Sequence, residues 1–249
     1  IFVQHLFSTK NIQRTIETKT LQQLQQQVQS ASDLLNNVWL DNIKTSVLRW
    51  SSLPEVIHHT QLLLEKPLTK SQLIQHPSMS ELRNIFTNMQ SLIGGNGVFI
   101  VSRNYRNLMS LRDDNVADLN FVMDHYPDAL KQAESGRQVV IPPIPSDVPL
   151  MNNKGGMEKN YPTMFVTTPI LDNTGTVIAV LMLRLKPHDV LSNISQHLRL
   201  GESSEVYLFN SNGMMLSNSP YEHELKALGI LNDDQHSCDT HLARHHKTI

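Results

Sequence analysis

Residues 161–185 read Tyr161-Pro-Thr-Met-Phe-Val-Thr-Thr-Pro-Ile-Leu171, then Asp172-Asn-Thr-Gly175, then Thr176-Val-Ile-Ala-Val-Leu-Met-Leu-Arg-Leu185. Two apolar runs rich in β-formers flank a four-residue turn. Asp172 can hydrogen-bond its own backbone, and Gly175 can take the positive φ that closes such a turn. The pattern predicts a long antiparallel hairpin. Its second strand, Val177 to Leu183, is almost unbroken apolar, which places it mid-sheet with both faces covered. Thr163, Thr167 and Thr168 add hydroxyls to an otherwise oily first strand. A sheet centre with hydroxyls facing a crevice suits a small polar ligand.

The chain around this hairpin has 249 residues, enough for one large domain or two modest ones. Its 21 basic and 23 acidic residues give a formal net charge of −2, so no global field favours nucleic acid or an anionic membrane surface. A single cysteine, Cys238, excludes an intrachain disulfide. The chain opens Ile1-Phe-Val-Gln-His-Leu-Phe7, apolar but far shorter than the roughly 20 residues a membrane helix needs. Two readings of this start stay open: a soluble piece following a transmembrane helix, or an ordinary frayed end.

Upstream of the hairpin, residues 8–51 contain no Pro or Gly and read as one long helix. Leu21, Leu24, Val28, Ala31, Leu35 and Val38 alternate spacings of three and four, a heptad seam, with a glutamine-rich face around it. Its second half is expected to pack along its own domain. For its first half, a stalk pairing with another copy is an equal expectation. Pro54 ends this region. Short helices are predicted over 55–64, 70–75 and 80–92, the last with Ser80 as a cap and Leu82, Ile85, Phe86, Met89 and Leu92 on one face. Gly94-Gly-Asn-Gly97 reads as a plain connector, since it lacks the Lys-Ser/Thr ending of a phosphate loop and precedes a strand.

Strands over 98–101 and 108–111 form a second hairpin, followed by a helix over 127–134 and a brief strand over 139–141. Residues 142–160, rich in Pro and Gly, form a loop of a length usually reserved for function. After the central hairpin, residues 187–197 read as a connecting helix. A new unit begins near Gly201, with strands over 205–209 and 214–216 joined at Asn212-Gly213 and a helix over 222–228 stopped by Gly229.

This order of elements resembles the double Cache (PDC-like) extracytoplasmic sensor domain of bacterial receptors. Three stretches carry the likeness: Gly97-Val-Phe-Ile-Val-Ser-Arg103, the hairpin from Pro169 to Leu181, and Gly201-Glu-Ser-Ser-Glu-Val-Tyr-Leu-Phe-Asn-Ser-Asn-Gly-Met-Met-Leu-Ser217. The resemblance covers about residues 8–231 and implies an α+β fold. A long N-terminal helix packs on a PAS-like five-stranded antiparallel sheet, the membrane-distal Cache module, and a partial second Cache-like module follows. The implied division is 1–53 for the long signalling helix and 54–186 for the ligand-binding module. A linker helix would take 187–200, and a membrane-proximal module, looking truncated, 201–249. Full-length relatives are membrane receptors: histidine kinases, diguanylate cyclases or chemoreceptors. The Arg-X-Trp-Tyr sequence of many amino-acid-binding members is missing, which weakens an amino-acid ligand.

Candidate ligand contacts follow from residue chemistry. Arg103, Tyr105, Arg106, Ser110, Arg112 and Asn115 sit on or just after the second hairpin. Arginine grips a carboxylate bidentately, and tyrosine gives a flat wall with a hydroxyl. Converging on Tyr161, Thr163, Thr167 and Asp172, they would hold a small anion or zwitterion. The alternative is an exposed hairpin with solvated charges. His236, Cys238, His241, His245 and His246 have spacings open to a metal, but they are terminal and lack a Cys-X-X-Cys pair, so no metal ligand is assigned. No catalytic arrangement stands out, and no cofactor is expected. The expectation is therefore a non-enzymatic sensor in the periplasm, anchored to the inner membrane. It would bind an organic anion or amino acid, work with its own transmembrane and cytoplasmic output domains, and pair as a homodimer without nucleic acid. The alternative is a soluble metal-binding or hydrolytic protein built on the C-terminal His/Cys cluster.

Overall fold

The computed structural model of the protein describes residues 2–152, 155–187, 191, 206–209, 213, 215–233 and 235–239, with side chains from residue 12 onward. Its centre is a five-stranded sheet in the order β2-β1-β7-β6-β3, antiparallel throughout. The strands are β1 (Gly95–Ser102), β2 (Asn107–Ser110), β3 (Val139–Pro145), β6 (Pro162–Leu171) and β7 (Val177–Leu185). The hairpin β6–β7 forms as the sequence predicts, with Asp172 accepting bonds from the amides of Thr174 and Thr176 in its turn. Strand β7 lies at the centre of the sheet, where its apolar run is buried on both faces.

One face of the sheet carries the helices. Helix α1 (Phe2–Asp33) runs through a π-helical segment, Leu34–Leu40, into α2 (Asp41–Ser51) without a break. Ile43, Val47 and Trp50 of α2 pack with Phe86 and Leu82 of α5 (Pro77–Ser91) onto Ile100, Val166, Leu181 and Leu183 of the sheet. Between them, α3 (Pro54–Leu64) starts with its proline at the first helical position, where no intrahelical N–H is missed. Helix α4 (Lys70–Gln75) opens with a capping box from Thr69 and Gln72.

Several element boundaries differ from those the sequence predicts. Helix α5 begins three residues before Ser80, because Pro77 sits at its first position and the His76 ring accepts from the Ser78 amide. Gly95 is already in β1: a Cβ there would come within 2.7 Å of Leu183 Cδ1 and 2.9 Å of Gln90 Cβ, so the strand can pass the end of α5 only as glycine. Pro142 and Pro143 do not stop β3, which continues to Pro145. It is an edge strand, its register slips between Ile141 and Ile144, and at an edge a missing donor is tolerated. The expected heptad seam does not continue into the core. Leu21, Leu24, Val28 and Val38 are exposed, although Ala31 is buried and Leu35 packs partly on the core, and the buried stripe beyond is Ile43, Val47 and Trp50.

The opposite face is covered by α6 (Val122–His125), α7 (Pro127–Glu134) and the long loop. That loop holds a small hairpin, β4 (Leu150–Met151) with β5 (Met157–Glu158). Beyond the sheet, Phe209 and Met215 form an isolated bridge and the Leu216 amide donates to the Leu208 carbonyl, so among the described residues a single bridge stands where the sequence predicts two strands. Helix α8 (Glu222–Ala227) ends at Gly229 with φ 69°. The expected linker helix, apart from Pro187 and Leu191, lies outside the described residues, as do His241, His245 and His246.

Leu92 does not share the buried face predicted for it: it lies just past the end of α5 and is 83% exposed, while Phe86 is fully buried. Phe86→Ala should destabilise the protein by about 3–5 kcal/mol. Leu92→Ala should stay within about 0.5 kcal/mol of wild type. Urea unfolding of the two variants measures both.

Candidate ligand site

Strand β7 is apolar but for one residue, and the pleat determines where that charge goes. Arg184 stands opposite Phe165, and Phe165 opposite Ile141. Opposed residues share a face, and here it is the face turned away from α2. Two steps along the strands, Ser110, Phe99, Met182 and Thr167 occupy the same face. Arg184 is only 2% exposed. Its guanidinium carbon lies 5.0 Å from the centre of the Phe99 ring and 5.4 Å from those of Phe121 and Phe165, an arrangement in which ring faces attract the cation.

A buried charge needs a counter-charge. Asp147, from the long loop, supplies it, with Arg184 Nη2 donating to Asp147 Oδ1 at 2.5 Å. Asn115 Nδ2 donates to the other carboxylate oxygen at 2.7 Å. Burial lowers the Arg184 pKa from its ordinary value and the Asp147 carboxylate opposes that, while the nearby charge of Arg112 pushes it lower again. An arginine stays protonated at neutral pH regardless. Arg112 itself donates to the Pro149 carbonyl at 3.4 Å. Two buried atoms here, Arg184 Nε and Asn115 Oδ1, have no hydrogen-bond partner among the described residues.

The segment that carries Asn115 is fixed by a buried amide pair. Asn120 Nδ2 donates to Asn107 Oδ1 at 2.8 Å, and Asn107 Nδ2 donates to the Asn115 carbonyl at 2.8 Å. Nothing in the local sequence marks these asparagines, since each acts through a residue distant in the chain.

Of the ten predicted contact residues, the fold brings Ser110, Arg112 and Asn115 to the neighbourhood of Asp147 and Arg184. The Ser110 hydroxyl accepts from the Arg112 amide at 3.2 Å. Arg103 and Tyr105 form a separate cluster on Glu134 of α7, at 3.2 and 2.7 Å. The Glu134 bond, aided by burial, raises the Tyr105 pKa. Arg106 donates to the Ala117 carbonyl. Thr163 and Thr167 lie on the loop-covered face, but their hydroxyls donate to the carbonyls of Leu185 and Val139. Asp172 is not brought to the others: its carboxylate serves the exposed turn, accepting from Thr174 and Thr176. Those bonds lower its pKa, chiefly through the Thr174 hydroxyl.

Tyr161 faces a different partner. Its ring meets His236 edge-on at 5.5 Å between centres. His236, also buried, has Nε2 2.7 Å from Glu158 Oε1 and Nδ1 3.3 Å from Glu222 Oε2. Glu222 further accepts from the Ser237 amide and hydroxyl. Among the described residues no group of three His, Cys, Asp or Glu is placed to hold a metal. A separate groove of about 650 Å³ opens on the helix side, between Leu63–Leu68 and the β1–β2 turn, with Arg103 and Arg106 on its rim.

With fold and site in place, the class is that of an α+β sensor module, a PAS-like sheet with one face on a long helix and the other under two short helices and a long loop. The Cache domain family model, in its double form, matches residues 8–240, and the chain belongs to that family. Cache domains are extracytoplasmic sensor modules of membrane receptors. Among solved structures the chain is similar to the sensor domain of the Vibrio cholerae histidine kinase DctB, at 10% identity and TM-score 0.50, covering 86% of this chain and 75% of that one. It is also similar to the sensory domain of the Campylobacter jejuni chemoreceptor Tlp3 with isoleucine bound (13% identity, TM-score 0.49, covering 89% and 83%). The Escherichia coli DcuS sensor domain aligns at 16% identity and TM-score 0.40, covering 68% and 98%. These likenesses concern the fold. A search of curated proteins finds no match. Among the described residues no helix is long and apolar enough to cross a membrane.

The His236 contact should depend on pH from both sides. Burial acts to lower the His236 pKa, but the bonds and charges of Glu222 and Glu158 outweigh it and raise the value above 6.5. That contribution is complete below pH 6.5 and is lost as pH rises through the raised value. Burial acts to raise Glu222 and Glu158. His236 and Ser237 outweigh it for Glu222, as Asn152, His236 and Lys226 do for Glu158, and both end below 4.5. Their contribution is complete above pH 4.5 and is lost as pH falls through the lowered values. The difference in melting temperature between wild type and His236→Gln should therefore be largest between pH 4.5 and 6.5 and shrink on either side.

Proposed function

We propose that this chain is the ligand-sensing part of a membrane receptor of the histidine kinase, diguanylate cyclase or chemoreceptor type, and that it binds a small organic anion or amino acid between the sheet and its covering loop. The observation that carries this reading is Arg184: a guanidinium wholly buried on the loop-covered face, among three aromatic rings, with one carboxylate as its ionic partner. A site built only for stability gains little from a buried ion pair over apolar packing. A recognition site needs a fixed charge in a place of low dielectric. Within this reading residues 54–186 form the ligand-binding module, 187–200 the link and 201–249 the second module. The exposed stripe Leu21, Leu24, Val28 and Val38 on the long helix suits pairing with a second copy. Ligand acts by its difference in affinity between two arrangements of the module, which is all the energy available for a signal.

A panel of organic acids and amino acids, screened by thermal shift, tests the assignment. A ligand at 100 times its dissociation constant should add about 2.7 kcal/mol, or a rise of about 5–11 °C for a chain of this size. Arg112→Ala and Asn115→Ala should each reduce that rise. A shift that survives both replacements unchanged would move the site elsewhere, and a panel without any shift would remove the sensing reading.

A further inference from the structure

We propose that Asp147 is a tethered stand-in for a ligand carboxylate, and that the module takes up a small carboxylic acid with an apolar body by exchanging it for Asp147 on Arg184. This rests on the sensing role proposed above and names the chemistry of its ligand. One edge of a guanidinium presents Nε and Nη2 as parallel donors to a carboxylate, and two-point engagement is the stronger form. Asp147 takes Nη2 alone, while Nε, equally buried, has no hydrogen-bond partner among the described residues. The loop thus engages half of a donor pair that a free carboxylate fills completely. Asn115 Nδ2, now on the second oxygen of Asp147, serves a ligand oxygen in the same way, and Arg112 adds a second positive charge close by.

The two halves of the pair differ in freedom. Arg184 belongs to the central strand and is locked among Phe99, Phe121 and Phe165. Asp147 rides on the turn between β3 and β4, its side chain 18% exposed, and that turn is closed by the Ser146 hydroxyl on the Val148 carbonyl and the Ser146 amide on the Tyr161 carbonyl. Swapping one carboxylate for another leaves the charge of the buried site unchanged, so the large penalty of stranding a lone guanidinium never arises. The tether holds Asp147 at a high effective concentration. A competitor therefore needs more than its carboxylate, and half-buried Phe121 offers the apolar surface. The same loop ends at Glu158, which grips His236.

Formate and acetate are the probes, with chloride at equal ionic strength as control. Asp147→Ala and Asp147→Gly remove the loop carboxylate and leave Arg184 in place. Added formate or acetate should raise the melting temperature of both variants above the chloride control and leave wild type unmoved. Arg184→Met in the Asp147→Ala background should cancel the effect. Calorimetry should give longer carboxylic acids a dissociation constant about tenfold lower for Asp147→Ala than for wild type, because the competing closed state is gone; matching primary amides should bind neither. Asp147→Asn keeps the shape without the charge, so it must show the same tightening, and it decides the matter if the truncated variants fail to fold. Equal affinity in wild type and all variants, or equal binding of acids and amides, overturns the exchange while leaving a sensing role intact. Carboxylate rescue with no ligand for wild type in the wider panel supports the exchange at Arg184 and counts against the sensing role.

Discussion

A positive charge in the middle of an apolar sheet face constrains everything around it. Arg184 sits where its neighbours in the strand, Leu183 and Leu185, are core, and the guanidinium cannot reach water from there. It requires a carboxylate, and the chain brings one from 37 residues away. That requirement explains why a loop crosses this face at all, and why it does so as an ordered turn and hairpin. It also explains the aromatic surroundings: Phe99, Phe121 and Phe165 are apolar enough to seal the site and polarised enough to tolerate a cation. The neighbouring polar groups stand in a chain of dependence, in which Asn120 holds Asn107, Asn107 holds the backbone of Asn115, and Asn115 holds Asp147.

The two faces of the sheet divide the work. On the helix side the core is aliphatic and aromatic packing, with the Trp50 and Phe86 rings 6.4 Å apart. On the loop side the same strands carry Arg184, Ser110 and Thr167 among the apolar residues. Strand alternation makes the division possible, since adjacent residues of β7 serve different neighbours. The long loop then joins the second face to the rest of the chain, anchored at Asp147 on the sheet and at Glu158 on His236.

Much of the fold was legible in the sequence because its signals are local. The β6–β7 hairpin announces itself through two apolar runs and an Asp-Asn-Thr-Gly turn, and helix α7 through its proline and glycine brackets. Pro142 and Pro143 misled, because only the sheet order shows that β3 is an edge where proline does no harm. The candidate site was legible in part. Arg112 and Asn115 stood out as polar residues after a hairpin, but Arg184 passed for the end of a strand. The available signal was its position between two leucines, where strand pleating forces a charge into a covered face. Asp147, Asn107 and Asn120 carried no such signal, since their roles depend on contacts that only the tertiary fold creates. Asp172 was drawn into the predicted set by its chemistry, yet the turn itself accounts for its carboxylate.

The π-helical segment Leu34–Leu40 has a consequence for the rod as a whole. Each π turn takes in one residue more than an α turn, which advances the thread of the screw. An unbroken heptad seam from Val38 would continue through Asn42, Thr45 and Arg49, and all three are exposed; the buried line is Ile43, Val47 and Trp50 instead. Past the thread change the helix turns Ile43, Val47 and Trp50 to its own sheet, whereas well before it Leu21, Leu24 and Val28 stay exposed and only Ala31 is buried.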